Sequence, residues 1–134
     1  MKQIIAIASL ATLLSSTLSF ADDIKVGFMT TLSGGAGITG THMRNGAELA
    51  MDHLGGKLGG RNAEVIFVDD QRKPDIAKQL ANRLIKSDKV DVIAGVIWSN
   101  LLMAIHKQVT RSNTLLISAN AGPSPICLLY TSPS

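Results

Sequence analysis

Short apolar runs alternate with stretches of helical periodicity along this chain. Residues 92–97 and 115–117 are apolar with no alternation of polar positions, a pattern typical of strands covered on both faces of a parallel sheet. Two earlier runs, residues 24–29 and 63–68, have the β-rich composition of strands. The pattern therefore predicts four strands.

Apolar residues at helical spacing lie between each pair of predicted strands. Pro74 suits the first position of the second helix, and the pairs Gly55-Gly56 and Gly59-Gly60 end the first helix and turn the chain back. Strands that alternate with helices predict an α/β fold, a doubly wound parallel sheet with the strand order 2-1-3-4. The three apolar helix faces are Met43, Ala47, Ala50, Met51 and Leu54; Ile76, Ala77, Leu80, Ala81, Leu84 and Ile85; and Leu101, Leu102, Ile105 and Val109.

Two loops at the ends of the third and fourth strands form the predicted ligand site, since the crossover puts both strand ends on one edge, where ligands of such sheets bind. Ser99 and Asn100 open a helix, whose unpaired N–H groups and partial positive charge suit a carboxylate. The alternative is that Ser99 or Asn100 only caps the helix internally. Trp98 is either a core residue or a lid against an apolar or aromatic ligand group. The second loop is Ala119-Asn120-Ala121-Gly122.

Charge and motif patterns narrow the function class. The chain has 13 basic and 10 acidic residues, spread singly and without a basic block, so nothing indicates binding to nucleic acid. His42, His53 and His106 have no metal-ligand spacing and are expected on the surface, and no serine lies in a nucleophile elbow. We therefore predict a protein that is not an enzyme and that needs no metal or other cofactor.

Two motifs have competing interpretations. Residues 35–40 match G-x-G-x-x-G, which favours either a dinucleotide site or a glycine-rich loop that lets backbone approach a ligand. The motif starts six residues beyond the strand, so we prefer the second interpretation. Asp69 and Asp70 follow the second strand and are interpreted as caps for the amides of the next loop, rather than as a carboxylate pair for acid and base chemistry.

Both ends of the chain differ from its middle. Lys2, the short apolar segment 4–14 and the small-residue site Ser19-Phe20-Ala21 predict a signal peptide over residues 1–21, with a membrane anchor as the alternative. Residues 127–134, CLLYTSPS, are interpreted as a translated sequencing adapter, and the alternative is a natural hydrophobic terminus. The tail contains the only cysteine, so residues 22–126 have no disulfide or thiolate metal site.

Residues 24–126 resemble the periplasmic type I solute-binding proteins of branched-chain amino acid ABC importers. The resemblance rests on Leu32-Ser33-Gly34 with Gly40 and Gly46, on the segment VDDQRKPDIAKQLANRLI at residues 68–85, and on the paired loops GVIWSN and ISANAGP. It implies two α/β lobes that close on a small ligand, with residues 22–126 as the first half of the N-terminal lobe. It also implies export to the periplasm and delivery of the ligand to the permease and ATPase subunits of an ABC importer.

The resemblance assigns roles to individual positions. It implies that Ser99 and Asn100 hold the ligand's carboxylate, and that Asn120, Ala121 and Gly122 contact its amino group. Gly122 has no hydroxyl where a threonine is common, and Thr39 stands where some members have an aromatic residue. The expected ligand is therefore a small carboxylate, either an apolar amino acid or an aromatic acid. The alternatives are a ligand-sensing receptor ectodomain of the same fold and a dinucleotide-dependent enzyme.

Overall fold

The computed structural model describes residues 23–126, so the predicted signal peptide and the C-terminal tail lie outside the described residues. A turn of 3-10 helix, Gly34–Ala36, precedes the first helix, and a π-helical turn, Leu84–Asp88, extends the second. None of the helices described is long and apolar enough to cross a membrane. The strands are β1 (Ile24–Thr30), β2 (Lys57–Leu58), β3 (Arg61–Asp69), β4 (Val92–Ala94) and β5 (Leu115–Ile117), and the helices are α1 (Gly37–His53), α2 (Pro74–Arg83) and α3 (Ser99–Thr110).

The strands form one sheet in the order β2-β3-β1-β4-β5. β1 pairs in parallel with both β3 and β4, and β4 pairs in parallel with β5. The order predicted for the four main strands, 2-1-3-4, is therefore confirmed. β2 is an additional two-residue strand that runs antiparallel to β3. It lies between Gly55-Gly56 and Gly59-Gly60, whose positive φ angles make the tight turns on either side of it.

The helices α2 and α3 pack against each other and against the sheet through their predicted apolar residues. Pro74 occupies the first turn of α2, where its missing N–H costs no hydrogen bond. Burial of each large apolar side chain here contributes about 1.5–3 kcal/mol to folding. The residues buried on these two helices and the turn after α2 are Ala77, Ala81, Leu84, Leu101, Leu102, Ile105 and Val109.

Helix α1 differs from the prediction in its start and in its burial. It begins at Gly37, inside the predicted loop, because Gly37 and Gly40 pack directly against the chain that leaves β1. A Cβ atom at Gly40 would lie 1.8 Å from the carbonyl oxygen of Thr31. Of the predicted apolar face, Ala50 and Leu54 are exposed and the rest is half-buried. Gly37 and Gly40, the last two glycines of the G-x-G-x-x-G match, thus allow α1 to pack closely against the loop that precedes it.

Strands β4 and β5 are less buried than the sequence pattern predicted. β4 ends at Ala94, because Gly95 takes a φ of +91° and a Cβ atom there would lie 2.6 Å from the ring of Phe28. In β5, Leu115 is 58% exposed and Ile117 is 50% exposed, since no described element covers that side of the strand. The expectation that residues 115–117 are covered on both faces is therefore wrong for the described chain.

One histidine also departs from its predicted place. His42 and His53 are exposed, as expected, but His106 is buried on α3. Its Nδ1 atom lies 2.8 Å from the carbonyl oxygen of Met103, one turn earlier in the helix. The expectation failed because His106 lies beside Leu102, Ile105 and Val109 on the apolar face of α3.

Candidate functional site

A cavity of about 480 Å³ opens at the sheet edge where the carboxyl ends of the parallel strands meet. Its walls come from the loop after β1, the start of α1, the loop after β3 and the residue before α3. Two predicted site residues, Thr39 and Trp98, are brought together here. The lining residues are Ser33, Gly34, Gly35, Ala36, Thr39, Gln71, Arg72 and Trp98.

Trp98 joins the cavity to the core. Its ring is half-buried against the hydrophobic core, and its indole Nε1–H donates a 2.9 Å hydrogen bond to the hydroxyl of Thr31. Its backbone carbonyl accepts hydrogen bonds from the N–H groups of Leu101 and Leu102, so Trp98 occupies the N-cap position of α3. The sequence left core and ligand-facing roles open for Trp98, and the structure places the ring in both environments.

A buried hydroxyl and carboxylate hold Trp98 in place. The Thr31 hydroxyl donates a 2.5 Å hydrogen bond to Oδ1 of Asp70, and both residues are fully buried. The same oxygen of Asp70 accepts a 2.8 Å hydrogen bond from the backbone N–H of Arg72. Asp70 therefore fixes two loops at once, the one after β1 through Thr31 and the one after β3 through Arg72.

Asp69, the residue before Asp70, also connects the loop after β1 with the loop after β3. Its Oδ1 atom accepts hydrogen bonds from the backbone N–H groups of Leu32, at 2.8 Å, and Gln71, at 2.9 Å. Burial works to raise the pKa of Asp69, but hydrogen bonds from the Leu32 and Gln71 amides and from Ser33 outweigh it, so the pKa lies below its ordinary value. The interpretation of Asp69 and Asp70 as caps of loop amides is confirmed.

Arg72 is a cavity residue that the sequence analysis missed. It takes a positive φ of 56°, and its guanidinium carbon lies 4.1 Å from the centre of the Trp98 ring. This is a cation–π contact between the loop after β3 and the residue before α3. The only available signal was position, because Arg72 follows a strand end on the same edge as Trp98. A single charge in a loop otherwise resembles a solvated surface residue.

Ser99 and Asn100 are the first two residues of α3, and both are exposed. Neither side chain caps the helix, and neither makes a hydrogen bond to another residue in the described range 23–126. The alternative that Ser99 or Asn100 only caps the helix internally is therefore wrong. Both residues leave their polar side-chain groups and their own backbone N–H groups available at this edge, whereas the N–H groups of Leu101 and Leu102 donate to Trp98. They lie next to Trp98 in the chain but do not line the cavity.

The loop after β5 is attached to the loop after β4. The side-chain amide of Asn120 donates a 3.2 Å hydrogen bond to the carbonyl of Ile97, directly before Trp98. The Ser118 hydroxyl donates to the carbonyl of Ala121, and Ala121 itself is buried in the core. Gly122 is exposed. The two predicted loops are thus neighbours, but Asn120, Ala121 and Gly122 lie outside the cavity that Trp98 lines.

Residues 23–126 contain no group of three or more His, Cys, Asp or Glu side chains that could hold a metal ion. The side-chain polar groups of the lining residues are the Ser33 and Thr39 hydroxyls, the Gln71 amide, the Trp98 indole N–H and the Arg72 guanidinium. Such an arrangement offers hydrogen-bond donors and a positive charge to a ligand. It therefore suits the binding of a small anion.

Comparison with known proteins identifies a family. The sequence model for periplasmic binding proteins matches residues 23–133. A Leu/Ile/Val-binding protein homologue of Brucella abortus (strain 2308) is 30% identical over 124 residues, which cover 91% of this chain and 32% of that protein. The chain thus spans about a third of the length of this relative.

Two solved structures share the fold. A solute-binding protein of an ABC transporter from R. palustris, in complex with benzoate, is 37% identical with a TM-score of 0.70, over 75% of this chain and 28% of that one. A branched-chain amino acid transporter substrate-binding protein from Streptococcus pneumoniae, in complex with isoleucine, is 28% identical with a TM-score of 0.70, over 77% of this chain and 30% of that one. Both likenesses confirm the predicted α/β class of the sheet.

Proposed function

Because the chain belongs to the periplasmic binding protein family, we propose that it is part of the substrate-binding component of an ABC importer. In this role the protein captures a small carboxylate in the periplasm and delivers it to a membrane permease that works with ATPase subunits. The proposal is supported by the two solved structures, whose ligands, benzoate and isoleucine, have a carboxylate in common. The predicted signal peptide, residues 1–21, would export the chain.

The proposal extends to the organisation of the protein. Residues 22–126 form the first half of an N-terminal lobe, and a second lobe closes over the ligand from the opposite side. The share of the Brucella relative that the chain covers, 32%, supports this division. The cavity beside Trp98 is then one wall of a cleft between two lobes.

The observation that carries the proposal is the free N-terminus of α3 at the binding edge of the sheet. The Ser99 and Asn100 side chains have no protein partner within residues 23–126, and the backbone N–H groups of the same two residues are also unpaired there. A helix N-terminus stabilises an anion by about 0.3–1 kcal/mol when exposed and by up to about 2 kcal/mol when partly buried. Closure of a second lobe would partly bury the bound anion, so the stabilisation by the helix N-terminus would approach about 2 kcal/mol.

No chemical step is part of the proposed function. A hydrolase or transferase site needs a nucleophile within reach of a base, or a metal-bound water. Asp69 and Asp70 accept hydrogen bonds from loop amides and from Thr31, and neither lines the cavity. A binding role without turnover therefore fits these residues better than catalysis does.

Calorimetry on the full-length protein tests the function, with leucine, phenylalanine and benzoate as ligands. We expect Ser99→Ala to weaken all carboxylates alike, because the hydroxyl and the helix N-terminus act on the carboxylate group that they share. Ser87→Ala, an exposed serine in the turn after α2, is the matched control and should bind like the unaltered protein. Binding of neutral sugars or amides in place of these acids would contradict the proposal, and so would turnover of a bound solute.

A further inference from the structure

We propose that Arg72 is a ligand-binding residue and that it selects a planar carboxylate without an ammonium group, such as an aromatic acid, over a zwitterionic amino acid. The inference rests on the proposed function, because it names the ligand class of the same cavity. Three observations support it. Arg72 lies in the cavity wall, its guanidinium is held by contacts to neighbouring residues, and no described carboxylate lines the same cavity.

Among the described residues, Arg72 brings the only charged side chain into the cavity wall. The other lining residues are small or neutral, apart from the Trp98 ring. Within the described residues, Arg72 forms no ion pair with a carboxylate. Its positive charge is therefore not compensated by an ion pair within residues 23–126, and it acts in the same direction as the partial charge at the N-terminus of α3.

The guanidinium is held in position by a closed ring of contacts. Asp70 accepts hydrogen bonds from the Thr31 hydroxyl and the Arg72 amide, Thr31 accepts one from the indole of Trp98, and the Trp98 ring carries the Arg72 guanidinium. Each contact restricts the next, and the buried Asp70 is the anchor. A charged group that is already ordered loses less conformational entropy when a ligand binds.

Neither neighbouring carboxylate, Asp69 or Asp70, is placed to bind the ammonium group of an amino acid ligand. Asp70 is fully buried and Asp69 is engaged by the amides of Leu32 and Gln71. Neither of them lines the cavity. On the wall that residues 23–126 form, the ammonium group of a zwitterionic amino acid would meet a positive charge, whereas an acid without an ammonium group meets only favourable charge there.

The geometry of the guanidinium also suits a carboxylate. A guanidinium is planar, stacks on aromatic rings and donates two parallel hydrogen bonds to a carboxylate. The guanidinium carbon of Arg72 already lies 4.1 Å from the centre of the Trp98 ring. A lysine at this position would keep the charge but lose both the stacking and the paired hydrogen bonds.

Calorimetry on the full-length protein with benzoate and leucine tests the assignment. We expect the unaltered protein to bind benzoate more tightly than leucine. Arg72→Gln should weaken benzoate about tenfold or more, the scale of a lost hydrogen bond to a charged group. Arg72→Lys should recover only part of this loss, and raising the salt concentration should weaken benzoate less in Arg72→Gln than in the unaltered protein.

The control variant is Arg111→Gln, which removes an exposed arginine at the opposite end of α3 and should leave both affinities unchanged. If Arg72→Gln binds benzoate as tightly as the unaltered protein, the inference is overturned while the proposed function stands. Tighter binding of leucine than of benzoate by the unaltered protein overturns the ligand class. If the unaltered protein binds no carboxylate at all, both the inference and the proposed function are wrong.

Discussion

The indole Nε1–H of Trp98 donates a 2.9 Å hydrogen bond to the hydroxyl of Thr31, 67 positions earlier in the chain. The hydroxyl of Thr31 in turn donates to the buried Asp70. One side chain thus joins the loops that follow β1, β3 and β4, the three central strands of the sheet. The shape of the cavity at this edge depends on that single hydroxyl, because each loop contributes part of its wall.

Thr31→Val tests this linkage, because valine keeps the shape of threonine and removes only the hydroxyl. We expect a loss of about 1–3 kcal/mol in the free energy of unfolding, since the buried carboxylate of Asp70 loses a donor and the indole N–H loses its acceptor. Urea denaturation of the full-length protein measures the change.

Thr41→Val is the matched control. The Thr41 hydroxyl donates to the carbonyl of Gly37 within α1, and the residue is exposed. Its loss should cost no more than about 0.5 kcal/mol, as for most surface substitutions. Equal stability of Thr31→Val and Thr41→Val would show that the linkage does not stabilise the fold.

Two glycines of α1 give a second prediction with opposite signs. Gly40→Ala should destabilise the protein by about 3 kcal/mol or more, because the new Cβ atom would lie 1.8 Å from the Thr31 carbonyl oxygen and backbone would have to move. Gly46→Ala, in the same helix, meets no atom within 4 Å and should stabilise by about 0.5–1 kcal/mol. Thermal unfolding of both variants measures the two shifts. A mild effect of Gly40→Ala would contradict the close packing of α1 on its loop.

The sequence predicted well what depends on periodicity. Pro74 and the apolar stripe that includes Leu84 predicted α2, and Leu101 and Ile105 predicted α3, because a helix that packs on a sheet must repeat its apolar face every turn. The order of the four main strands was predicted from the doubly wound fold class that alternating strands and helices indicate. β2 was missed because two residues, Lys57 and Leu58, are too short to carry any pattern.

The cavity could be predicted only in part. Trp98 was found because it lies between a strand and a helix at the binding edge. Thr39 was found only through the family resemblance, which points to its position. Arg72 was missed because its role depends on a positive φ angle and on the approach of the Trp98 ring, neither of which leaves a trace in a hydrophobicity pattern. The roles assigned to Ser99, Asn100, Asn120, Ala121 and Gly122 stay predictions until binding is measured.

Asp69 leads to a prediction about acid stability. Its pKa lies below the ordinary value of 3.8, so the ionised form is favoured by folding. The stabilisation is therefore complete above the ordinary pKa and is lost as the pH falls through the lower pKa of the folded state. Asp69→Asn should lower the free energy of unfolding at neutral pH, and the difference from the unaltered protein should shrink in strong acid.

Urea denaturation between about pH 7 and about pH 2 measures this difference, because the loss begins only below the ordinary pKa. The exposed Asp52, on α1, provides the control variant Asp52→Asn. A constant difference between Asp69→Asn and the unaltered protein at all pH values would mean that only hydrogen-bond geometry, and not charge, is involved.

The edge strand β5 gives the last prediction. A polypeptide of residues 22–126 exposes Leu115 and Ile117 by half or more on a strand that has no neighbour beyond it in the described sheet. Exposed apolar edge strands pair with one another between molecules, so we expect this polypeptide to aggregate or to remain partly unfolded. Size-exclusion chromatography and thermal unfolding measure both outcomes. The double variant Leu115→Thr and Ile117→Thr should increase the monomeric fraction, because threonine keeps the strand preference and removes apolar surface.

The matched change Leu49→Thr and Leu54→Thr, at exposed positions on and after α1, should increase the monomeric fraction less, because a helix surface offers no free backbone groups for pairing. A monomeric polypeptide that unfolds cooperatively without these substitutions would contradict the prediction.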